Sequence, residues 1–336
     1  MAKLRLALRV MQRTWLEEPL ASRWVADRTG GADWAIVAFG LFLFWISGAH
    51  PSLMPVWGPW DFSPLIYLAT ALTLLWFFRG VALAPPKERP PVWRRVVFVI
   101  GLLGAYAVLQ TRFEYWSQHM FFLNRVQHVA MHHLSPFLIA LSWVGASVKR
   151  GMPRWARRLV ESRIAGAAIH VLQQPVLAAF LFVGLFYFWL IPAVHFRAMI
   201  DARLYALMNW SMVLDGILFW CLALDPRPSP PARVSFGARA ALSLAVMFPQ
   251  ILLGAIIVFS SRDLYPYYDL CGRLFPSISA LDDQQFGGLI IWIPPAMMSV
   301  AGMLVVMNAM RLSDETIAET DKDAAALAAL SRRWTG

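Results

Sequence analysis

Charge is scarce in this chain. Asp, Glu, Lys and Arg together make up 15% of its 336 residues, against roughly a quarter in an ordinary soluble domain. Two cysteines, Cys221 and Cys271, are too few for a disulfide framework. No glycine-rich phosphate loop, serine nucleophile elbow or metalloprotease His spacing occurs, so hydrolysis and group transfer lack their usual machinery and the chain reads as a non-enzyme. A transporter is hinted at only by Pro175, Pro249 and Asp215, with no internal repeat beside them.

What is abundant is apolar surface. Hydrophobic residues reach 59% and aromatics 14%, the composition of a polytopic membrane protein. A spanning helix needs about 20 mostly apolar residues. Eight stretches approach that: Trp34 to Ala49, Pro64 to Phe78, Val96 to Thr111, Val126 to Val148, Ile164 to Ile191, Leu204 to Leu224, Ala240 to Ser260 and Phe286 to Met310. The expected fold is an all-α bundle of about eight transmembrane helices over residues 33–311. A basic cytoplasmic or interfacial segment, 1–32, precedes it and a cytoplasmic tail, 312–336, follows. Of the 30 Lys and Arg residues, 24 fall on the tails and connectors of one side and 6 on the other. Positive charge marks the cytoplasmic side, so both termini are expected there. The net charge of +10 is then a topology signal with some attraction to anionic lipid, and no nucleic-acid partner is expected.

With that orientation six of the seven histidines map to the outer side, and His170 alone faces the cytoplasm. The densest stretch is Asn124-Arg125-Val126-Gln127-His128-Val129-Ala130-Met131-His132-His133-Leu134-Ser135-Pro136. Asn124, His128 and His132 recur at i, i+4 and i+8 and would stack along one face of an α-helix, with Gln127 and Met131 beside them. His119 and His195 stand in the flanking outer connectors. In the sixth segment Met208, Met212 and Asp215 share a face, and Gly216 permits close helix approach. Imidazole and thioether together form a copper ligand set, the thioether favouring Cu(I). The candidate metal residues are thus His128, His132, His133, His119, His195, Met131, Met208 and Met212, with Asn124, Gln127, Asp215 and Asp283 supporting them. Histidines that only bond neighbouring helices, and methionines that only fill gaps, give the same pattern, as would b-type haem held between helices. Asp282 and Asp283 open the last helix as caps, while Tyr265, Tyr267 and Tyr268 suit the membrane interface.

Three stretches carry a family resemblance. Gln127-His128 with Pro136 beyond, Asp215-Gly216-Ile217-Leu218-Phe219-Trp220, and Asp283-Gln284-Gln285-Phe286-Gly287-Gly288-Leu289-Ile290-Ile291-Trp292-Ile293-Pro294 resemble the multi-spanning CtaG family of cytochrome c oxidase assembly factors. The resemblance implies a bacterial inner-membrane protein that supplies or holds copper for a haem-copper oxidase. Its implied partners are an oxidase subunit and a soluble copper chaperone. The family usually has a histidine where this chain has Asn124. A His-x-x-Glu-His pattern is replaced by Tyr205, Met208 and Asn209, and a histidine before Pro192 by Leu190. Either the site is rebuilt from the remaining histidines and methionines, or the metal is lost and the chain acts as a scaffold.

Overall fold

The computed structural model describes residues 29–59 and 61–335, with side chains through residue 318. Most of the basic N-terminal segment, residues 1–28, lies outside the described residues. Among the described residues every regular element is helical. Six helices are long and apolar enough to cross a membrane, or eight if two bent pairs each count as one span. In a solvent that offers no hydrogen bonds, a helix satisfies every backbone group within itself, and this run of apolar segments has no other way to fold there.

The expected eight segments are present, with three revisions. Helix α1 spans Gly31–Ala49, α2 Pro64–Leu83 and α3 Val92–Gln110. A short helix α4, Arg112–Ser117, leads into α5, Phe121–Ser142. The fourth segment does not run straight to Val148: it turns by 80° into α6, Gly145–Gly151. The turn is made at Trp143, whose φ of 50° is left-handed and ends α5 without a glycine. The fifth segment is likewise bent, by 76°, between α8, Arg163–Leu172, and α9, Pro175–Leu190. Here Gln174 caps the N-terminus of α9 by accepting from the Leu177 amide at 2.6 Å, and Pro175 opens it. Between the two bent pairs lies α7, Arg154–Val160. Next come α10, Pro192–Ile200, and α11, Ala202–Ala223. The seventh span is built from α12, Phe236–Ala245, and α13, Met247–Val258. After a single turn, α14, Tyr267–Leu270, the last helix α15 runs from Ala280 to Thr335. It passes through Pro294 and Pro295 and continues into the expected tail.

Helix α11 is the axis of the bundle. Buried residues make up 56% of its apolar window, against 11% for α1, which rests on α2 at the periphery. Around α11 stand α5, α9, α10 and α12, while α13 and α12 pack along α15. Lipid is as apolar as leucine, so these contacts depend on close fit rather than on burial. Glycines supply the fit where backbones touch. A Cβ on Gly80 of α2 would sit 1.7 Å from the Ser147 carbonyl oxygen of α6, and one on Gly151 would meet Trp76 at 1.8 Å. Gly254 and Gly288 bring α13 and α15 together in the same way.

Ion pairs hold the side expected to be cytoplasmic. Asp33 is buried in the first turn of α1, bonded by Trp76 Nε1 at 2.8 Å and paired with Arg79. Lys149 pairs with Glu161 at 2.9 Å, and Arg150 with Glu88. Cys221 is buried in α11 and Cys271 exposed, both free.

Gly80→Ala should force α2 and α6 apart and lower stability by about 1–3 kcal/mol. Gly184→Ala in α9, where the new methyl meets only Phe180 at 3.8 Å, should not. Thermal midpoints in detergent compare the two, and equal midpoints would remove the close crossing from the account.

Candidate functional site

The site begins with a proline. In an α-helix the ring of Pro136 would collide with the carbonyl of His132, four residues back, and could return no hydrogen bond to it. Helix α5 meets this by widening. Residues Val129–Leu134 form a π-helical segment, with the Ser135 amide bonded to the Ala130 carbonyl five residues earlier. Such segments recur at functional positions. This one contains Met131, His132 and His133.

The widened turn lies against α11. A Cβ on Gly216 would stand 2.3 Å from the His132 carbonyl oxygen, so only glycine admits this approach. One residue earlier Asp215 meets the ring, with His132 Nε2 3.1 Å from Asp215 Oδ2. From α9, Phe182 and Phe186 stack on the His132 ring at centroid distances of 4.3 and 5.4 Å. They meet the His133 ring edge-on, and the two imidazoles sit 4.8 Å apart at 85°. The α-helical stacking of His128 over His132 is thus replaced: a π turn breaks the register it assumed, and His132 faces α11 and α9.

Hydrogen bonds select the nitrogen that His128 and His132 leave open. His128 Nδ1 lies 2.8 Å from the Asn124 carbonyl, which can only accept, so Nδ1 carries the proton and Nε2 keeps its lone pair. That Nε2 is buried without a partner. With Nε2 of His132 turned to a carboxylate, its Nδ1 is likewise buried and unpartnered, as are both nitrogens of His133. Leaving such a group unmatched costs roughly 1–3 kcal/mol. His128, His132 and His133 all have no solvent exposure.

The remaining candidates divide. Met131, Met208 and Met212 belong to one large buried cluster with Met199 of α10. His195 is buried nearby, but Nδ1 bonds the Trp189 carbonyl at 3.2 Å and Nε2 the Tyr268 hydroxyl at 3.0 Å, so both nitrogens are engaged. His119 is half-buried beside α4, its Nδ1 on the Tyr115 carbonyl at 2.7 Å. Asn124 bonds Arg125 and leans toward Met199. Gln127 ties four helices: Oε1 accepts from Ser117 at 3.0 Å and Tyr205 at 3.3 Å, and Nε2 donates to Val108 at 2.8 Å. Asp283 caps α5 rather than its own helix, accepting from the Phe121 and Phe122 amides at 3.0 and 2.8 Å while Arg273 holds it from behind.

Several participants escaped the sequence reading. Arg125 is buried among Tyr205, Tyr265 and Tyr268 and lies over the Phe121 ring, 5.0 Å from its centroid. The tyrosines expected at the interface are buried instead, Tyr268 completely. Tyr265 and Tyr268 close over His195 and Arg125 because their hydroxyls find partners inward, Tyr265 on the Leu190 carbonyl at 3.0 Å and Tyr268 on His195 Nε2 at 3.0 Å. Phe182 and Phe186, four residues apart in an apolar run, carried no sign of their role.

Residues 75–312 match the cytochrome c oxidase caa3 assembly factor family, Caa3_CtaG. The chain belongs to this family. No curated protein and no solved structure matches it. In this family member the matched region takes in every candidate residue above and leaves out α1. As a metal site its donors are half prepared: ring nitrogens of His128, His132 and His133 are buried without partners. Yet no three His, Cys, Asp or Glu side chains group closely enough to hold an ion among the described residues.

Outside the membrane spans, α4 carries Glu114, buried and near Asp61. Burial first, then the Asp61 charge, pushes its carboxyl from the ordinary 4.5 up to about 8. A folded-state value above the unfolded one means the fold binds the proton. Stability from this group is therefore present below about 4.5 and lost as pH rises to about 8. The thermal midpoint should fall across that window, and Glu114→Gln should flatten the fall; an unchanged slope would count against the buried carboxyl. Separately, Asp215→Ala and His132→Ala should each cost roughly 1–3 kcal/mol by leaving a buried polar partner unmatched. Their double variant should cost less than the sum by about 0.5–3 kcal/mol. Strict additivity would mean the two side chains do not support each other.

Proposed function

We propose that this assembly factor handles copper for the buried copper centre of a haem-copper oxidase, with copper as its cargo. The observation that carries the reading is the pair of imidazoles on α5 whose protons are drawn away from one nitrogen. His128 donates its Nδ1–H to a carbonyl and leaves Nε2 open; His132 turns Nε2 to Asp215 and leaves Nδ1 open. A carboxylate behind an imidazole is the usual outer support of a metal-binding histidine, fixing the ring and raising its basicity. His133, Met131, Met208 and Met212 supply further imidazole and thioether within the same buried region, the set that suits Cu(I). His119, half-buried at the end of α4, would receive the ion from outside. His195 orients Tyr268 instead, since its nitrogens are spent.

The distribution of Lys and Arg supports cytoplasmic termini and an outer-face histidine cluster, in the cytoplasmic membrane of a bacterium. An oxidase subunit and a soluble copper donor would meet the protein there. A second reading, a metal-free scaffold for oxidase assembly, is favoured by the lack of any three-ligand group among the described residues. A b-type haem would need axial imidazoles from two helices, and the histidine on α10 has no free nitrogen.

The protein purified without chelator should contain about one copper per chain, and His128→Ala with His132→Ala should remove it. A cell lacking the protein should lose oxidase activity and regain it with the native chain but not with the double variant. Full rescue by the double variant would establish the scaffold and overturn copper handling. Undiminished copper in that variant would place the ion elsewhere.

A further inference from the structure

Two spans end, on the side expected to be cytoplasmic, in helices that leave their direction: α6 turns 80° from α5, and α8 stands 76° from α9. Where α5 and α9 cross a bilayer, α6 and α8 lie nearly in its plane. With α7 between them they make a shelf. Residues 149–163 give it six Lys and Arg residues against one carboxylate, Glu161, which Lys149 holds at 2.9 Å.

Helices α7 and α8 repeat one pattern. On α7, Ala156 and Val160, one turn apart, pack into the bundle. Beside that strip Trp155 and Leu159 are exposed, Leu159 to 65%, and next to them stand Arg154 and Arg158, also exposed. On α8, Ile164 and Val171 are exposed two turns apart, Ile164 to 83%, with Arg163 and His170 alongside. Arg233 donates to His170 Nδ1 at 2.8 Å and adds its charge to that strip. An apolar strip bordered by a basic one, on a helix lying in the membrane plane, is the form of a surface seated at the boundary of headgroups and acyl chains. Excess arginine there favours headgroups of net negative charge over zwitterionic ones.

We propose that the shelf of α7 and α8 binds anionic phospholipid of the cytoplasmic leaflet, with Arg158 and Arg163 at the phosphates and Leu159, Ile164 and Val171 against the acyl chains. Lipid held there would brace the bends that end α5 and begin α9. The surface is separate from the histidine cluster and holds whether or not copper is handled.

The test uses the full-length protein in phosphatidylcholine nanodiscs that carry a trace of photoreactive phosphatidylglycerol or of photoreactive phosphatidylcholine, both with the same diazirine-bearing chain. At about fivefold for each basic residue at an anionic surface, the two arginines should make the phosphatidylglycerol probe label residues 154–172 about twenty-five-fold more than its zwitterionic counterpart. Unlabelled phosphatidylglycerol should compete, and soluble glycerol phosphate should not. Arg158→Gln with Arg163→Gln should bring the two probes level, whereas Arg311→Gln, a loss of exposed charge on α15, should leave the preference intact. Leu159→Ser with Ile164→Ser should lower labelling by both probes. Equal labelling of the native chain by the two probes, or a preference that survives loss of both arginines or falls as far with Arg311→Gln, would overturn the proposal. So would competition by glycerol phosphate, which would make this a soluble-phosphate site, or a segment that neither probe labels, which would mean that protein covers it.

Discussion

One steric conflict organises the centre of this protein: a proline ring cannot occupy the space of the carbonyl four residues before it. In α5 that conflict falls between Pro136 and His132, and the helix yields by opening a π turn over Val129–Leu134. The freed carbonyl needs a neighbour without a side chain, which Gly216 provides. Once α5 and α11 meet at that point, Asp215 comes within reach of the His132 ring, and Phe182 and Phe186 on α9 close the other side. Three helices are positioned by a chain of local necessities.

The bilayer explains why such necessities dominate. Lipid gives no reward for bringing apolar faces together, so a bundle is specified by close backbone approach and by polar groups that have nowhere else to go. Gln127 bridges α3, α4, α5 and α11, and Asp283 caps a helix far from it in sequence. Among the buried polar atoms without a hydrogen-bond partner, four are ring nitrogens of His128, His132 and His133, gathered within six residues of one helix. Strain and unsatisfied groups persist where the surrounding packing enforces them, and function is a common reason.

The bundle was legible because hydropathy and charge are local properties. Runs of apolar residues marked all eight segments, although the bends at Trp143 and Gln173 were hidden inside two of them. Hydropathy records length and polarity, and a left-handed residue leaves both unchanged. Of the site, the residue types were legible and their partners were not. The spacing of Asn124, His128 and His132 assumed uniform α-helix, and Pro136, visible in the same stretch, was the sign that the assumption fails. Tyr265 and Tyr268 read as interfacial because a tyrosine's amphipathic ring fits either place; only the position of His195 and the Leu190 carbonyl draws them in.

By itself the chain's sequence determined that it is a helical membrane protein, which side collects its positive charge, and that imidazole and thioether are concentrated near one face. Those follow from composition and order, which act one residue and one turn at a time. The tertiary structure alone decided which ring nitrogens of His128, His132 and His133 are left open, and that both nitrogens of His195 are engaged. Each of these depends on what a second helix brings to within about 3 Å, the reach of a hydrogen bond, and sequence separation carries no record of that.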